Sequence, residues 1–188
     1  MSSNKKSPES DTSSAASPLV AIADAIDAES LPPVESWAPE RRGDIDIRIA
    51  ADGTWWHEGS PIRRERLVAL FASVLRHDED GYWLVTPVEM LKIEVEDLPF
   101  IANEMTIEGS GTDRKIAFGL RSGGHVIIGP DHPVGLDVNG LPYVHVRGRL
   151  DARISRPVWY RLAELADGAD DVPILHAGGA AFPLTPAA

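Results

Sequence analysis

The chain has 188 residues, of which 43% are hydrophobic, and a formal net charge of −11. This acidic balance disfavours nucleic acid or an anionic membrane as the main partner, because phosphate binding requires a basic surface. The absence of cysteine excludes disulfides and thiol catalysis and fits a reducing compartment. Since no apolar run approaches the roughly 20 residues of a membrane helix and no secretory h-region is present, we expect a cytoplasmic protein.

The N-terminal part of the chain divides into two segments by composition. Residues 1–18 are rich in Ser, Pro and Lys and have little to bury, which predicts a disordered tail. Residues 19–36 follow as a short amphipathic helix, which places Leu19, Ile22 and Ile26 on one side, and a Pro-rich connection.

The stretch 43–75 predicts a β-hairpin that leads into a helix. Residues 44–49 alternate apolar and polar side chains, as a half-buried strand does. Asp52-Gly53 predicts a two-residue primed turn, which would place Ile49 opposite Trp56 and direct Trp55 outward. Ser60-Pro61 predicts the start of the helix. Its apolar stripe is Leu67, Leu70, Phe71, Val74 and Leu75.

The rest of the chain predicts an antiparallel meander and a second helix. Short β-rich runs separated by Gly, Pro and Asn turns continue from residue 82 to residue 147. Residues 142–155 predict two strands about a turn, and Ser155 with Pro157 predicts the start of a helix.

The order strand, turn, strand, Ser/Pro and helix thus occurs twice, which predicts an α+β fold with a duplicated unit. We expect a first α+β subdomain over residues 37–99 and a second subdomain over 100–188, with antiparallel sheet and a C-terminal helix. Clefts between subdomains are favoured ligand sites.

Short motifs spread over residues 31–185 resemble the bacterial family of uncharacterised proteins called domain of unknown function 1285. The residues that carry the resemblance are Pro32-Pro33-Val34 with Trp37, Gly43-Asp44-Ile45-Asp46, Arg48-Ile49-Ala50, Asp52-Gly53-Thr54-Trp55, Pro61-Ile62, LVALFASVLR, YWLVTPVE, VEDLPF with Glu104-Met105, Gly129-Pro130 with His132-Pro133, Pro142-Tyr143, Arg147 with Leu150 and Tyr160, and Phe182-Pro183-Leu184. The chain departs from the family pattern at Arg42 and at the run SGGHV.

The resemblance implies a duplicated α+β core whose second half is similar to a pleckstrin-homology roll. It also implies a site for a small ligand, with a nucleotide as one candidate, at the junction of the halves, and a signalling role. No enzymatic activity is implied.

Two sets of charged residues are candidates for ligand binding. Asp44 and Asp46 share a strand face and could hold a hard cation, or they could form a solvated face balanced by Arg48. Arg147, Arg149 and Arg153 share one side of an extended segment and could form a guanidinium row for phosphate or carboxylate. The alternative for this row is pairing with the carboxylates of residues 89, 94 and 96.

Other polar and aromatic residues complete the expected site. The outward Trp55, Thr86 at a strand end and Tyr143 could stack on a base or hydrogen-bond to it, although Trp55 could equally cover a joint between subdomains. Arg63, Arg64 and Arg66 open the first helix, where they could assist an anion or only solubilise the surface.

We therefore expect a ligand-binding module without metal or cofactor, which holds a small anionic ligand and acts with a signalling partner. The expected ligand-binding residues are Asp44, Asp46, Arg48, Trp55, Thr86, Glu89, Tyr143, Arg147, Arg149 and Arg153. Two alternatives stay open at this point. One is a protein-interaction adaptor without a small ligand, and the other is a metal-assisted hydrolase built on Asp44, Asp46, His57 and Glu89.

Overall fold

The computed structural model describes residues 17–28, 31–167 and 172–186. Residues 1–16, which make up most of the disordered tail expected over residues 1–18, therefore lie outside the described residues. The expected N-terminal helix is present as α1, which spans Pro18–Ala28. No helix within the described ranges is both long and apolar enough to cross a membrane.

The first half of the chain forms a six-stranded sheet with one helix inserted between its third and fourth strands. The strands pair in the order β3-β2-β1-β6-β5-β4, and the central pair β1 and β6 is parallel. The bounds are β1 Arg41–Ile49, β2 Trp55–His57, β3 Ser60–Pro61, α2 Glu65–Ser73, β4 Leu75–Asp78, β5 Gly81–Val85 and β6 Glu89–Val95.

The second half forms another six-stranded sheet, followed by a helix and a small hairpin. Its strands pair in the order β9-β8-β7-β12-β11-β10, and the central pair β7 and β12 is again parallel. The bounds are β7 Phe100–Glu108, β8 Lys115–Leu120, β9 His125–Ile127, β10 Val134–Leu136, β11 Pro142–Arg147, β12 Leu150–Ile154, α3 Arg156–Ala163, β13 Ile174–Ala177 and β14 Ala180–Pro183.

The two sheets have the same strand order, which agrees with a mixed α+β fold and a duplication. The repeat differs from the expected one, since α2 follows the third strand of its sheet whereas α3 follows the sixth. The meander is also not purely antiparallel, because each sheet joins two three-stranded antiparallel ribbons through a parallel pair.

The hairpin between β1 and β2 has a different register from the expected one. Ile49 lies opposite Trp55, and Arg48 lies opposite Trp56. The expectation of a two-residue turn was wrong because the loop runs from Ala50 to Thr54, and Gly53 alone has a positive φ in it, at 80°. Trp55 is consequently a core residue with 2% exposure, and its expected outward position was also wrong.

The first long helix starts later than Ser60-Pro61 indicates. These two residues form β3, and α2 begins at Glu65 after Arg64. The packed face of α2 consists of Val68, Phe71 and Ala72, whereas Leu70 is 56% exposed and was wrongly assigned to the buried stripe. The ring of Phe71 stacks on Trp55 with centroids 6.1 Å apart.

One hydrophobic core joins both halves of the molecule. Buried side chains of both sheets and of α3 belong to one cluster, so the two sheets share this interior, while Trp83, Val85 and Met90 form a smaller separate cluster. The largest fully buried side chains of the shared interior include Ile47, Ile49, Trp55, Leu75, Ile116, Phe118, Leu150 and Leu162.

Arg147 holds the two halves together at the end of α2. Its guanidinium donates to the carbonyl oxygen of Ala72 at 2.8 Å, in the last turn of α2, and to that of Leu75 at 3.1 Å, at the start of β4. Burial lowers the pKa of Arg147, and the nearby charge of Glu35 opposes that shift. The side chain thus acts as a C-terminal cap that one half provides for the other.

Candidate functional site

A cleft of about 570 Å³ lies where the two halves meet; we call it the seam cleft. The first half contributes the β1–β2 loop and the start of α2, and the second half contributes the turn between β8 and β9. The lining residues are Gly53, Thr54, Trp55, Ile62, Arg63, Glu65, Arg66, Val68, Ala69, Leu120, Arg121, Ser122 and Gly123.

The β1–β2 loop is fixed against the second half by a glycine. Gly53 has a φ of +80°, and a Cβ at this position would lie 2.6 Å from Cγ1 of Ile101. Within the loop, the carboxylate of Asp52 accepts a 2.8 Å hydrogen bond from the backbone N–H of Thr54. This bond is the main reason that the pKa of Asp52 is lowered, and the charge of Arg121 contributes to the same shift.

Arg121 crosses the seam from the second half to the first. Its Nη1 donates a 2.8 Å hydrogen bond to the backbone oxygen of Asp52. This bond uses a single Nη, so the other N–H groups of the guanidinium stay available as donors. Arg121 is exposed, so its charge is available to a ligand on this side of the molecule.

The seam cleft carries positive charge in a strongly acidic chain. The lining of the cleft contains three arginines, Arg63, Arg66 and Arg121, and a single carboxylate, that of Glu65. The whole chain, by contrast, has a net charge of −11. No ion pair within the described residues engages Arg63 or Arg66. The start of α2 also lies here, and the positive end of its helix dipole adds to the attraction for an anion.

A buried hydroxyl without a partner lies in the wall of the seam cleft. In the described part of the chain, the Oγ of Ser122 is buried and makes no hydrogen bond. Such a group costs free energy unless something bonds to it, typically about 1–3 kcal/mol. Rotation of the Ser122 side chain would bring this hydroxyl to the cleft, where a ligand oxygen would supply the missing acceptor.

A second cleft, of about 560 Å³, lies on the other side of Arg121. Its polar centre is Arg153, which binds Asp97 through two hydrogen bonds of 2.6 and 2.8 Å and contacts Asp137 at 2.9 Å. The hydrogen bond to Asp97 is the main cause of the raised pKa of Arg153. Two carboxylates therefore neutralise this guanidinium, and the second cleft has less net positive charge than the seam cleft.

The expected guanidinium row does not form. Arg147 ends β11, Arg149 lies in the following hairpin turn, and Arg153 lies on β12. The expectation of a shared side was wrong because the chain reverses at Gly148, so the three residues do not belong to one extended segment. Arg149 is exposed, and its backbone oxygen contacts Nδ1 of His77 at 3.1 Å.

The acidic and aromatic residues of the expected site are also dispersed. Asp44 and Asp46 are exposed on β1, and Arg48 pairs with Glu96 and lies over the ring of Trp56.

Thr86 and Glu89 close a turn beside β6. The Oγ1 of Thr86 accepts a 3.1 Å hydrogen bond from the N–H of Glu89, whose carboxylate lies 3.7 Å from Arg41. The ring of Tyr143 lies against Gly135 on the neighbouring strand. Of the ten expected residues, Trp55 alone lines the seam cleft, while Arg147 and Arg153 line other clefts.

Sequence reasoning missed Arg121 and Ser122. Both lie in the turn between β8 and β9, which the sequence marks only as a Gly-rich connection. The only available signal is an arginine directly before a Ser-Gly-Gly turn, which does not reveal that the turn faces α2. Arg63 and Arg66 were considered in the sequence, and the structure places both at the seam cleft.

Comparison with known proteins identifies relatives over most of the chain. Residues 32–98 match the model of the N-terminal domain of the DUF1285 family, and residues 99–184 match the C-terminal domain of this protein family of unknown function. No curated protein is similar enough to the chain to count as a match.

Two crystal structures are similar in fold. A DUF1285 family protein from Silicibacter pomeroyi DSS-3 is 40% identical, with a TM-score of 0.76 over 91% of this chain and 96% of that one. A DUF1285 family protein from Shewanella baltica OS155 is 22% identical, with a TM-score of 0.53 over 64% of this chain and 92% of that one. The latter likeness concerns the fold alone.

Proposed function

This chain belongs to the DUF1285 family, whose description assigns no function, and we propose that it is a binding module for a small organic anion. The ligand lies in the seam cleft, in contact with both halves of the molecule. Arg63, Arg66 and Arg121 bind its anionic group, and Ser122 donates a hydrogen bond to one of its oxygens.

The observation that carries this proposal is the combination of free positive charge and an unpartnered hydroxyl in one cleft. Each feature alone is common on protein surfaces, but here the arginines and the serine line the same cleft, where a rotated Ser122 side chain adds a donor to the charged donors of the arginines. The apolar side chains of Ile62, Val68 and Leu120 supply contacts for the rest of the ligand.

The size of the seam cleft agrees with a ligand of nucleotide size. Its volume of about 570 Å³ falls in the range of small-molecule sites, roughly 300–1,000 Å³. A nucleotide thus stays a candidate, with its phosphate on the arginines. The stacking role expected for Trp55 is limited, since only 2% of this side chain is exposed.

A sensory role follows from the position of the site. A ligand that bridges both halves stabilises their contact, and a protein partner can detect that change. We place this activity in the cytoplasm because the chain has no cysteine. The similarity of the second half to a pleckstrin-homology roll belongs to the same proposal, supported by a sheet with α3 directly after its last strand.

The two alternatives have less support. Among the described residues, no three His, Cys, Asp or Glu side chains are grouped as metal ligands would be, so Asp44, Asp46, His57 and Glu89 do not form a donor set. Exposed apolar side chains such as Val88 and Leu70 belong to different elements and give the adaptor reading no surface at these positions.

The proposal is tested by a thermal-shift screen of nucleotides, phosphates and carboxylates on the wild type and Arg66→Ala. A ligand at about 100 times its dissociation constant adds roughly 2.7 kcal/mol, which raises the melting temperature by several degrees. Arg161→Ala is the matched control, since it removes an exposed arginine from α3 outside the seam cleft. A shift that Arg66→Ala weakens and Arg161→Ala preserves supports the proposal. Equal shifts in all three proteins would contradict it.

A further inference from the structure

Exposed apolar side chains border the second cleft. Leu141, in the turn between β10 and β11, is 48% exposed, and Tyr160 on α3 is 61% exposed. Both line the cleft together with the half-buried Trp159. Val138, in the same turn as Leu141, is 75% exposed. Apolar surface that continues from a cleft onto its rim is typical of a site that contacts another protein.

The turn that carries Leu141 is held by four hydrogen bonds. The carboxylate of Asp137 accepts one from the backbone N–H of Asn139 at 2.8 Å and one from that of Leu141 at 2.9 Å. The backbone N–H of Asp137 donates to the oxygen of Leu141 at 2.9 Å, and Nη1 of Arg153 donates to the same oxygen at 3.0 Å. The exposed leucine therefore has a fixed position, so a partner that binds it does not have to order the turn.

Helix α3 provides the facing wall of aromatic and charged side chains. Arg156, Trp159 and Tyr160 occupy positions i, i+3 and i+4, so they lie side by side on one face of the helix, and all three line the second cleft. The other face is anchored in the core by the buried side chains of Val158 and Leu162. Tyr, Trp and Arg are the residue types that contribute most to binding in protein interfaces, so this fixed face has the composition of a docking site.

One cation of the second cleft has no carboxylate partner. Two carboxylates neutralise Arg153, and Arg121 donates to the backbone oxygen of Asp52, so the opposite charges of these last two residues lie beside each other. Arg156 is exposed, and within the described ranges it takes part in no ion pair. A carboxylate placed next to the apolar part of the cleft would complement the charge of Arg156.

We propose that the second cleft is a docking site for a segment of a partner protein, which places a bulky apolar side chain in the cleft and a neighbouring carboxylate on Arg156. Leu141, Trp159 and Tyr160 contact the apolar side chain. The inference goes beyond the proposed function, because none of these four residues lines the seam cleft.

The first test is selection of peptides from a random heptapeptide library displayed on phage, with the full chain immobilised. We expect the enriched peptides to share a leucine or aromatic residue next to an aspartate or glutamate. A synthetic peptide of the enriched sequence is then measured by isothermal titration calorimetry. The same peptide with its carboxylate replaced by an amide is expected to bind about fivefold more weakly, the upper range for an ion pair at an exposed site.

The second test locates the peptide with matched variants at exposed positions. Arg156→Ala is expected to weaken binding about fivefold and to abolish the difference between the carboxylate and amide peptides. Arg161→Ala, on the same helix but outside the cleft, preserves both. Leu141→Ala is expected to weaken binding at least about tenfold, because each methylene buried in the complex contributes about fourfold. Leu70→Ala removes a similarly exposed leucine from α2 and leaves binding unchanged.

The outcomes separate this inference from its alternatives and from the proposed function. The absence of an enriched sequence, enrichment of basic peptides, or equal effects of Arg156→Ala and Arg161→Ala overturns the docking site. Binding of indole-3-acetate as tight as that of the peptides would make the cleft a small-molecule site, and self-association that Leu141→Ala abolishes would assign it to a second copy of this chain; either result overturns the proposal. Arg66→Ala alters the seam cleft alone and is expected to leave peptide binding unchanged, so failure of one proposal does not imply failure of the other.

Discussion

Arg147 is expected to stabilise the fold, and its removal provides a quantitative test of the contact between the halves. In Arg147→Ala, the carbonyl oxygens of Ala72 and Leu75 lose charged donors at 2.8 and 3.1 Å. Hydrogen bonds to charged groups contribute about 1.5–3 kcal/mol each. The side chain is partly exposed, and its desolvation, visible as a lowered pKa, offsets part of this contribution.

We therefore expect Arg147→Ala to lower the free energy of unfolding by about 2–3 kcal/mol. For a chain of this size, about 2–4 °C of melting temperature corresponds to 1 kcal/mol, so the midpoint falls by about 4–12 °C. Urea titration followed by circular dichroism and tryptophan fluorescence gives the free energy, and coincident transitions confirm two-state behaviour.

The matched control is Arg149→Ala, which removes an exposed arginine two residues further along the same hairpin. Its expected effect is within about 0.5 kcal/mol, as for surface substitutions elsewhere. If the two variants have the same stability, the cap that Arg147 provides for α2 contributes nothing, and the reasoning is refuted.

Three further predictions concern the same fold. Arg153→Ala leaves Asp97 and Asp137 without their shared cation and is expected to lower the free energy of unfolding in urea by about 3 kcal/mol. Arg153→Lys should recover only part of this loss, because a lysine cannot bind Asp97 through two hydrogen bonds. An unchanged urea midpoint in Arg153→Ala would contradict this. Gly53→Ala places a side chain at a φ of +80° and pushes its Cβ towards Ile101, so we expect the free energy of unfolding to fall by about 1–3 kcal/mol. Thermal unfolding of this variant at the wild-type midpoint would show that the loop is not held against Ile101. Glu108 accepts hydrogen bonds from Ser17 Oγ and the N–H of Leu19, which lower its pKa below the ordinary 4.5. The stabilisation of α1 is therefore complete above about pH 4.5 and is lost as the pH falls through the lowered pKa of Glu108. As the pH falls through that range, hydrogen exchange in α1 should accelerate in the wild type but not in Glu108→Gln. Identical pH profiles of exchange in the two proteins would refute the contact.

The strands were predictable because their signals are local. Alternation over residues 44–49 and 91–95, and turn residues between the short β-rich runs, suffice to place most strands of both sheets. The parallel pairing of β1 with β6 and of β7 with β12 was not predictable, since it depends on contacts between distant segments.

Errors arose where a local signal had more than one solution. Asp52-Gly53 is typical of a two-residue turn, but only Gly53 adopts a positive φ, and the longer loop shifts the register by one residue. Ser60-Pro61 is typical of a helix start, yet it pairs with β2, and the helix begins at Glu65.

The candidate site was predictable only in its general position. The duplication indicates a junction, and the seam cleft lies there, but its lining combines the hairpin and helix over residues 53–69 with the distant turn over residues 120–123. Arg121 and Ser122 lie about 60 positions after Arg63, and only the packing of the β8–β9 turn beside α2 brings them together. Conversely, two of the arginines that look aligned in the sequence are used by the fold, since Arg147 binds backbone carbonyls and Arg153 binds carboxylates.

The most direct test of the seam cleft is a two-dimensional ¹⁵N–¹H NMR titration of the full chain with octanoate and with a nucleoside monophosphate. We predict that the largest saturable shift changes occur at Ser122, Gly123 and Ala69, with smaller changes at the end of β1. Changes centred instead on Asp44, Glu89 and their neighbours, or the absence of saturable changes with either compound, would contradict the assignment of the seam cleft as the ligand site.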